Sequence, residues 1–365
     1  MTSLRVLVVG AGVAGLAVAS ALARRGLAAE VVERAAEWQP TGAGLYLPGN
    51  AVRALDELGL GAAVAERAQP IGRQRFLDHR GRLLAAVDVV SAWDGVGPCV
   101  AMHRAALHEV LRAAAEVPVR LGTAVTGVQD GAVPAVTFSD GSTEAYDLVV
   151  GADGVHSTIR RSVFGGPPAG RVGQVSWRFV ADGFPDVDDW TVRLGRGRAF
   201  LTVALGGGRT YCYADLDASD PAGAPDEDWR AAFADFAEPV PQLLEQATEA
   251  YVAPIEEVVP PAWSTGRVVL VGDAAHASSP NMAQGAAMAV EDALVLAELL
   301  SAEATVEQAL STYERRRAPR VDWVQAQTHR RDRTRSLPVP LRNLVLRTAG
   351  ERIYRSNYRP LRDPF

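Results

Sequence analysis

The sequence predicts an α/β fold in which a parallel sheet covered by helices carries a second, mainly antiparallel sheet, with further helices at the C-terminus. The N-terminus opens as strand, glycine turn, helix and strand, in the segments "RVLVV", "GAGVAGLAVASALARRGL" and "AAEVVERA", which is the start of a βαβ unit. From about residue 172 to residue 259 polar and apolar residues alternate, as in half-buried strands. The apolar run "RVVLV" and two long helical patterns follow.

The alternating segments interrupt the helical part of the chain twice. The stretch "RFLDHRGRLLAAVDVV" predicts a hairpin about the Arg80–Gly81 turn, well before the main β segment. The expected ranges are 1–70, 100–170 and 264–335 for a discontinuous Rossmann-like domain, 71–99 and 171–263 for the inserted β-sheet domain, and 336–365 for a helical tail.

The composition excludes several classes of function. The chain has 365 residues, 48% of them hydrophobic, and a formal net charge of −6, so it can bury a large core and is unsuited to general nucleic-acid binding. All 37 basic residues are arginine. This excludes a Schiff-base lysine, a P-loop lysine and a lysine general base.

The cysteine content and the hydropathy of the sequence indicate the cellular compartment. Cys99 and Cys212 lie far apart in sequence, and no Cys/His group has the spacing of a zinc site. We therefore expect neither a disulfide framework nor a bound metal. No stretch of about 18 uncharged apolar residues occurs, so no membrane span is expected, and a reducing cytoplasm is the simplest compartment.

The segment "GAGVAG" places Gly10, Gly12 and Gly15 directly after a strand and before a helix. In this G-x-G-x-x-G spacing the first glycine makes the turn, the second lets a pyrophosphate approach the backbone, and the third lets helix and strand pack closely. The helix start offers free N–H groups to phosphates. Glu33 ends the second strand about 20 residues on, where a carboxylate binds ribose hydroxyls. The segment predicts a bound dinucleotide.

Two further segments indicate which dinucleotide. "DLVVGADGVHSTIR" contains Asp153, and "RVVLVGDAAHASSPNMAQGAAMAVEDALVL" contains Asp273. Together with "GAGVAG", in this order and over nearly the whole chain, they resemble the flavoprotein monooxygenases of the para-hydroxybenzoate hydroxylase type, and among these the salicylate- and urate-hydroxylase-like members. The resemblance implies FAD as the cofactor and NADH or NADPH as a transient reductant. It also implies dioxygen, which forms a flavin hydroperoxide that hydroxylates a small aromatic or polycyclic substrate.

The resemblance also assigns residues to FAD. Asp273 is expected at the ribityl and pyrophosphate region, and the amides at the start of the following long helix are expected at the flavin's pyrimidine edge, which is anionic in reduced flavin. For three of these residues a role that involves no contact with FAD is the alternative. Arg34 and Arg104 could face solvent, and Asp153 could cap a helix. The expected FAD contacts are Gly10, Gly12, Ala14, Gly15, Glu33, Arg34, Gly44, Arg104, Asp153, Asp273, Pro280, Gly285, Ala286 and Ala287.

The inserted sheet is expected to form the roof of a substrate pocket. Tyr211 matches a strand that supplies a substrate-facing tyrosine in urate-hydroxylase-like members, and Arg178, in "SWR", recurs in salicylate-type members. These two residues are the catalytic candidates, with a packing role as the alternative. Where urate-type members carry a basic residue this chain has Ala199, which argues against urate. Further pocket candidates are Trp177, Arg193, Arg198 and Tyr213.

The partners expected are a small aromatic molecule and dioxygen, for a monomer or homodimer with no nucleic acid and no membrane span. Two other functions fit the same segments: another FAD oxidoreductase, such as a reductase or dehydrogenase, and a flavin-holding scaffold without activity. Oxygen consumption distinguishes the first from a monooxygenase, and substrate-stimulated NAD(P)H oxidation distinguishes the second. The arginines from Arg315 to Arg317, in a run that continues to Arg335, are interpreted as a solvated helix face, with contact to a phosphate of incoming NAD(P)H as the alternative.

Overall fold

The computed structural model of the chain describes residues 4–38, 43–218 and 228–365; residues 1–3, 39–42 and 219–227, which fall in the ranges expected for the two domains, lie outside the described part. The strands are β1 (Val6–Val9), β2 (Ala29–Val32), β3 (Gly44–Leu47), β4 (Gln69–Pro70), β5 (Arg73–Asp78), β6 (Leu83–Asp88), β7 (Val100–His103), β8 (Val119–Arg120), β9 (Val125–Gln129), β10 (Ala135–Phe138), β11 (Thr143–Ala145), β12 (Leu148–Gly151), β13 (Gly170–Ala181), β14 (Trp190–Leu194), β15 (Arg198–Gly206), β16 (Arg209–Asp217), β17 (Tyr251–Glu257), β18 (Ser264–Thr265) and β19 (Val268–Leu270). The α-helices are α1 (Val13–Arg24), α2 (Gly49–Glu57), α3 (Gly61–Ala65), α4 (Val89–Ala92), α5 (Arg104–Ala115), α6 (Thr158–Phe164), α7 (Val240–Glu245), α8 (Asp273–His276), α9 (Gly285–Ala302), α10 (Val306–Arg335) and α11 (Val339–Tyr358). Short 3-10 helices cover Trp229–Phe233, Pro280–Met282 and Arg359–Arg362.

A six-stranded sheet forms the first part of the fold, in the order β18-β19-β12-β1-β2-β8. The five strands from β19 to β8 are parallel, and the edge strand β18 is antiparallel to its neighbour. The central strands Val6–Val9 and Leu148–Gly151 are buried at every residue, as in a sheet covered on both faces. Helix α1 packs on β1 and β2, and α5 and α9 pack on α1. The predicted parallel sheet is confirmed.

A seven-stranded sheet forms the second part, in the order β17-β13-β16-β15-β14-β5-β6. All its strand pairs are antiparallel except β14 with β5. That parallel pair joins the β5–β6 hairpin to the strands from β13 onward, so two distant stretches of chain share one sheet. The predicted hairpin is confirmed, with Gly81 at a φ of +80° in its turn, whereas the sequence did not predict the pairing of β14 with β5.

One face of the seven-stranded sheet is buried in a hydrophobic core that is separate from the main core of the protein. Trp177 stacks on Trp229, with ring centroids 5.0 Å apart and an interplanar angle of 9°, and its neighbours on this face pack against α7 and the turn before it. Arg193 and Arg198 donate to backbone carbonyls of the segment that covers this face. The prediction that Trp177, Arg193 and Arg198 line the substrate pocket is therefore wrong, because their side chains lie on the far side of the sheet.

The opposite face of this sheet carries Arg178, Tyr213 and Leu201 in one cross-strand row, with Tyr211 two residues away on β16. It faces a three-stranded sheet of order β3-β7-β4, which the sequence did not predict. A Cβ on Gly44 of β3 would lie 2.5 Å from Cγ of Tyr211, so the missing side chain lets the ring pack on the strand. Tyr211 and Arg178 thus share the face turned toward the rest of the chain.

Two long helices, α10 and α11, complete the fold, as predicted. Where α10 packs on α9, Arg317 is fully buried between Glu291 and Asp292, at 2.7 and 2.8 Å, and Arg320 pairs with Glu291 at 2.8 Å. The interpretation of Arg317 as part of a solvated face is therefore wrong. Burial acts to raise the pKa of the Asp292 carboxyl, but His276 and Arg317 outweigh it and lower that pKa to about 2.

Replacing Arg317 with alanine is expected to lower the free energy of unfolding by about 3–5 kcal/mol, because Asp292 would keep a buried charge without its guanidinium partner. Urea and thermal unfolding midpoints of the purified variant measure the loss. Arg315→Ala, on the exposed side of the same helix, is the control, with an expected change of about 0.5 kcal/mol or less. Equal midpoints for the two variants would contradict the structural role given to Arg317.

Candidate active site

Three neighbouring strands of the parallel sheet end at the same edge, and each is followed by one of the three sequence motifs. Gly10 follows β1, Ala152 follows β12 and Gly272 follows β19. The Ala152 amide donates to the Val9 carbonyl oxygen at 2.9 Å, which ties the second motif to the end of β1. The structure thus brings the three motifs together at the carboxyl edge of the sheet, where ligands of open α/β sheets bind.

The loops at this edge touch without intervening side chains. A Cβ on Gly10, whose φ is +102°, would lie 2.5 Å from the Ala152 carbonyl oxygen, and a Cβ on Gly15 would lie 1.8 Å from the Gly10 carbonyl oxygen. A Cβ on Gly272, at a φ of +59°, would lie 2.7 Å from Cβ of Ala14. These three positions therefore require glycine, and Ala14 contacts the third motif directly.

Gly12 is different, because a Cβ there would meet no protein atom within 4 Å. It is exposed and immediately precedes α1, whose first-turn N–H groups have no intrahelical acceptor. Open space beside unpaired amides is the arrangement that accepts a pyrophosphate.

Two of the three acids predicted to contact the cofactor, Glu33 and Asp153, already accept hydrogen bonds from backbone amides. Glu33 accepts from the Ala11 amide at 2.8 Å through Oε2 and from the Ala35 amide at 2.9 Å through Oε1, which fixes it beside the glycine turn. Asp153 accepts from the Thr158 and Ile159 amides of α6 at 2.6 and 3.2 Å through Oδ2, so it binds the start of α6 as its alternative role predicted, while the N-cap residue itself is Ser157. Oδ1 of Asp153 is buried and has no hydrogen-bond partner among the described residues.

The exposed carboxylate of Asp273 faces the start of α9, since a Cβ on Gly285 would lie 3.9 Å from its Oδ1. Gly285 is exposed, Ala286 is half-buried and Ala287 is fully buried, so small side chains leave the first-turn amides of α9 open. Pro280 is exposed and begins the short helical turn that precedes α9.

Arg178 and Arg104 both lie within electrostatic reach of Tyr211. Burial raises the pKa of the Tyr211 phenol, while Arg178 and Arg104 act in the opposite direction. Arg104 begins α5 and is exposed, as is Arg34; both positions suit either of the roles expected for them, a cofactor contact or a solvent-facing arginine.

The site face of the seven-stranded sheet carries polar groups without partners. The Arg178 guanidinium lies 5.6 Å from the centroid of the Tyr213 ring, and it forms no ion pair among the described residues. Arg178 Nε and the Tyr213 hydroxyl are both buried, and neither has a hydrogen-bond partner in the described part of the chain. Groups of this kind are costly to bury unless a ligand satisfies them.

Buried side chains hold the motif loops in place from behind. Asp292 accepts from the Gly272 amide at 2.9 Å, and Nε2 of His276 lies 2.6 Å from the same oxygen. The buried guanidinium of Arg160, from the second motif, donates to the Ala274 carbonyl oxygen of the third at 2.9 Å. Sequence reasoning did not assign Asp292, although a charge inside the apolar helix pattern "AAMAVEDALVL" was the available signal.

Comparison with known proteins decides the family. Residues 3–328 match the family described as "FAD binding domain". The chain belongs to this family. Two relatives are aurachin C monooxygenase/isomerase of Stigmatella aurantiaca, 37% identical over 341 residues covering 90% of this chain and 89% of the relative, and 3-amino-4-hydroxybenzoate 2-monooxygenase of Streptomyces cremeus, 37% identical over 347 residues covering 90% and 86%. A solved structure, Klebsiella pneumoniae HpxO complexed with FAD and uric acid, is similar with a TM-score of 0.88 and 28% identity over 99% of this chain and 97% of that chain.

This member of the FAD binding domain family is a FAD-dependent monooxygenase, as the resemblance implied. The glycine cradle, the open amides of α1 and α9 and the exposed Asp273 fit FAD. Across residues 4–38, 43–218 and 228–365, no helix combines the length and the hydropathy that crossing a bilayer requires. The same residues contain no group of three or more His, Cys, Asp or Glu side chains placed to hold a metal ion.

Two glycine variants separate packing from cofactor contact. Gly15→Ala is expected to lower both stability and FAD content, because its Cβ would lie 1.8 Å from the Gly10 carbonyl oxygen. Gly12→Ala is expected to fold normally but to lose FAD, because its Cβ meets only the space assigned to the pyrophosphate. Unfolding midpoints of the apoprotein and the flavin absorbance of the purified holoprotein measure the two effects. A Gly12→Ala protein that retains full flavin would contradict the placement of the pyrophosphate.

Proposed function

We propose that this flavoprotein oxidises NADH or NADPH and uses dioxygen to hydroxylate a small, electron-rich aromatic ring whose ring oxygen is held by Tyr211 and Arg178. The observation that carries the proposal is the pair of buried, unpartnered groups, Arg178 Nε and the Tyr213 hydroxyl, on the sheet face that also bears Tyr211. A guanidinium and hydroxyls suit a phenolic or enolic oxygen, and they favour its ionised form. Ionisation raises the electron density of the ring, which favours its oxygenation.

We propose the cofactor contacts on the basis of the loops at the carboxyl edge of the parallel sheet. Bound FAD supplies hydride acceptance and dioxygen activation. We assign the pyrophosphate to the cradle formed by Gly10, Gly12 and Gly15, the ribityl chain to Asp273, and the pyrimidine edge to the first-turn amides of α9. Glu33 would exchange one of its two backbone hydrogen bonds for a ribose hydroxyl. The remaining proposed contacts are Ala14, Arg34, Gly44, Arg104, Asp153 and Pro280.

The domain limits are proposed on the basis of sheet membership. The seven-stranded sheet draws its strands from residues 73–88 and 170–257, which supports 71–99 and 171–263 as the substrate-binding unit. Residues 1–70, 100–170 and 264–335 are then assigned to the FAD-binding unit, and 336–365 to a helical tail. The buried free thiols of Cys99 and Cys212 suit a reducing compartment, which supports the cytoplasm as the location.

The ring chemistry of the relatives supports a planar substrate, and one residue argues against urate. The names of the relatives include an aminohydroxybenzoate, and HpxO is complexed with uric acid. Ala199, at the position where a basic residue is expected for urate, lies on the site face and pairs with Asp215 of β16. Asp215 is itself ion-paired with Arg335. This corner of the pocket therefore offers a poor site for a further anion.

The function is tested by oxygen consumption and NAD(P)H oxidation with a panel of 3-amino-4-hydroxybenzoate, 4-hydroxyquinoline, salicylate and urate. We expect at least one hydroxyarene to accelerate both, with an atom of labelled dioxygen found in the product, and we expect urate to have no effect. NAD(P)H oxidation without oxygen uptake would favour another FAD oxidoreductase. Bound FAD that none of the compounds causes to turn over would favour a scaffold.

Asp273→Ala is expected to weaken FAD binding roughly tenfold to a hundredfold, the usual cost of losing a hydrogen bond to a charged group. Fluorescence titration of the apoprotein with FAD measures the change, and Asp273→Asn is expected to give an intermediate value. Asp322→Ala, an exposed acid of α10, is the control. An Asp273→Ala protein that binds FAD like the unaltered chain would remove Asp273 from the site.

Tyr211→Phe is expected to lower kcat/KM for the active hydroxyarene about tenfold through loss of one hydrogen bond, with FAD content unchanged because the ring still packs on Gly44. Arg178→Met is expected to have a larger effect, about tenfold to a hundredfold, since a charged donor is removed. The double variant shows whether the two groups bind the same oxygen, in which case their effects are not additive. Unchanged kinetics in both single variants would leave them as packing residues.

A further inference from the structure

The loop between α8 and α9 is bound to the C-terminal helices by three side chains. The Asp332 carboxylate accepts from Nδ2 of Asn281 at 2.5 Å through Oδ1, and Arg331 donates to the Asn281 carbonyl oxygen. The Tyr358 hydroxyl donates to the Met282 carbonyl oxygen at 3.2 Å. The loop that leads into the flavin-facing start of α9 is therefore held by α10 and α11.

Asp332 carries more hydrogen-bonding capacity than this contact uses. Its Oδ2 is buried and has no hydrogen-bond partner among the described residues. A carboxylate oxygen without a partner is costly to bury, and fixing Asn281 requires only Oδ1. The free oxygen is a feature that packing alone leaves unexplained.

The charged and titratable groups around Asp332 come from several elements. Arg335 and His329 lie on its own helix, Asn281 on the loop, and Asp215 on the site face of β16; His329 contacts Glu257 of β17. Burial raises the pKa of Asp332 and Asp215 adds to this effect, while Arg335, the bond from Asn281 and His329 lower it; the outcome is a raised pKa.

Asp332 and Tyr213 of the proposed substrate face both lie within electrostatic reach of Asp215. Burial raises the pKa of Tyr213, and Asp215, Arg178 and Arg335 are among the charges that act on it. Arg335 pairs with Asp215 and with Asp217. The end of α10 therefore spans the gap between the flavin loop and the sheet face that carries Arg178.

We propose that Asp332 is the acid–base residue of this reaction and takes the proton of the substrate's ring O–H through its free Oδ2. The inference rests on the proposed function. The O–H bond of the substrate breaks, a new O–H bond forms on Asp332, and the electron pair stays on the ring oxygen beside Arg178. After turnover Asp332 releases the proton to solvent, which reaches this end of α10 at the partly exposed His329, one helical turn earlier.

The pH dependence follows from the sign of this step. A base must be deprotonated, so kcat/KM of the unaltered enzyme falls as the pH drops through the pKa of Asp332. Asp332→Asn keeps an acceptor for Asn281 but cannot take a proton. Its kcat/KM is expected to fall about 100-fold or more at neutral pH and to lose this acid limb. Its rate is expected to recover toward a pH of about 10, where a phenol ionises in solution.

The experiment measures kcat/KM against pH with whichever compound of the panel is active, for Asp332→Asn, Asp332→Glu and the control Asp322→Asn. Asp332→Glu is expected to retain the acid limb, and Asp322→Asn to match the unaltered enzyme. FAD content and the rate of flavin reduction by NAD(P)H without an aromatic compound are expected to stay unchanged in the control Asp322→Asn, and FAD content is measured in Asp332→Asn to test for loss of the cofactor.

Three results overturn the inference. If the Asp332→Asn enzyme keeps the normal pH profile, Asp332 is not the base of the reaction. A variant that loses FAD, or whose rate stays low at high pH, shows a structural role for Asp332 instead. An unaltered enzyme that no compound of the panel stimulates overturns the proposed function, and this inference with it; a stimulated enzyme with an unaffected Asp332→Asn variant leaves the function standing.

Discussion

A steric constraint governs this fold: at the carboxyl edge of the parallel sheet, loops and helix approach more closely than any Cβ allows. Gly10, Gly15 and Gly272 each have backbone or Cβ atoms where a side chain would begin. Because these contacts join three segments separated by more than a hundred residues, the cofactor cradle exists only once β1, β12 and β19 are paired. The rest of the structure keeps that arrangement in register.

The buried charged residues of α9 and α10 also help to hold the motif loops in position. Two carboxylates of α9 and two arginines of α10 form a buried cluster, and one of the carboxylates accepts from the Gly272 amide. Buried ion pairs contribute little net stability compared with apolar packing. We therefore infer that these pairs serve to position the backbone around them. They fix the turn that presents Asp273 and the helix start that follows it.

Features encoded by local sequence patterns could be predicted, whereas features that depend on the pairing of distant strands could not. The strand, glycine turn and helix at "GAGVAG" could be predicted because spacing alone specifies a backbone conformation. Alternation in β13 and β16 showed which residues share a face, but it carried no information on which face meets the cofactor domain. Trp177 and Tyr211 were therefore both placed in the pocket, and only Tyr211 lies on that face.

The C-terminal helices extend the candidate site beyond the part of the chain that the family match covers. The match to the FAD binding domain family ends at residue 328, whereas Asp332, Arg335 and Tyr358 lie beyond it and bind the loop before α9 or the seven-stranded sheet. Function depends on the residues of a site and not on the fold alone. The glycine cradle accounts for the shared cofactor, and we expect the choice of ring to depend on the end of α10, on α11 and on the sheet face that they meet.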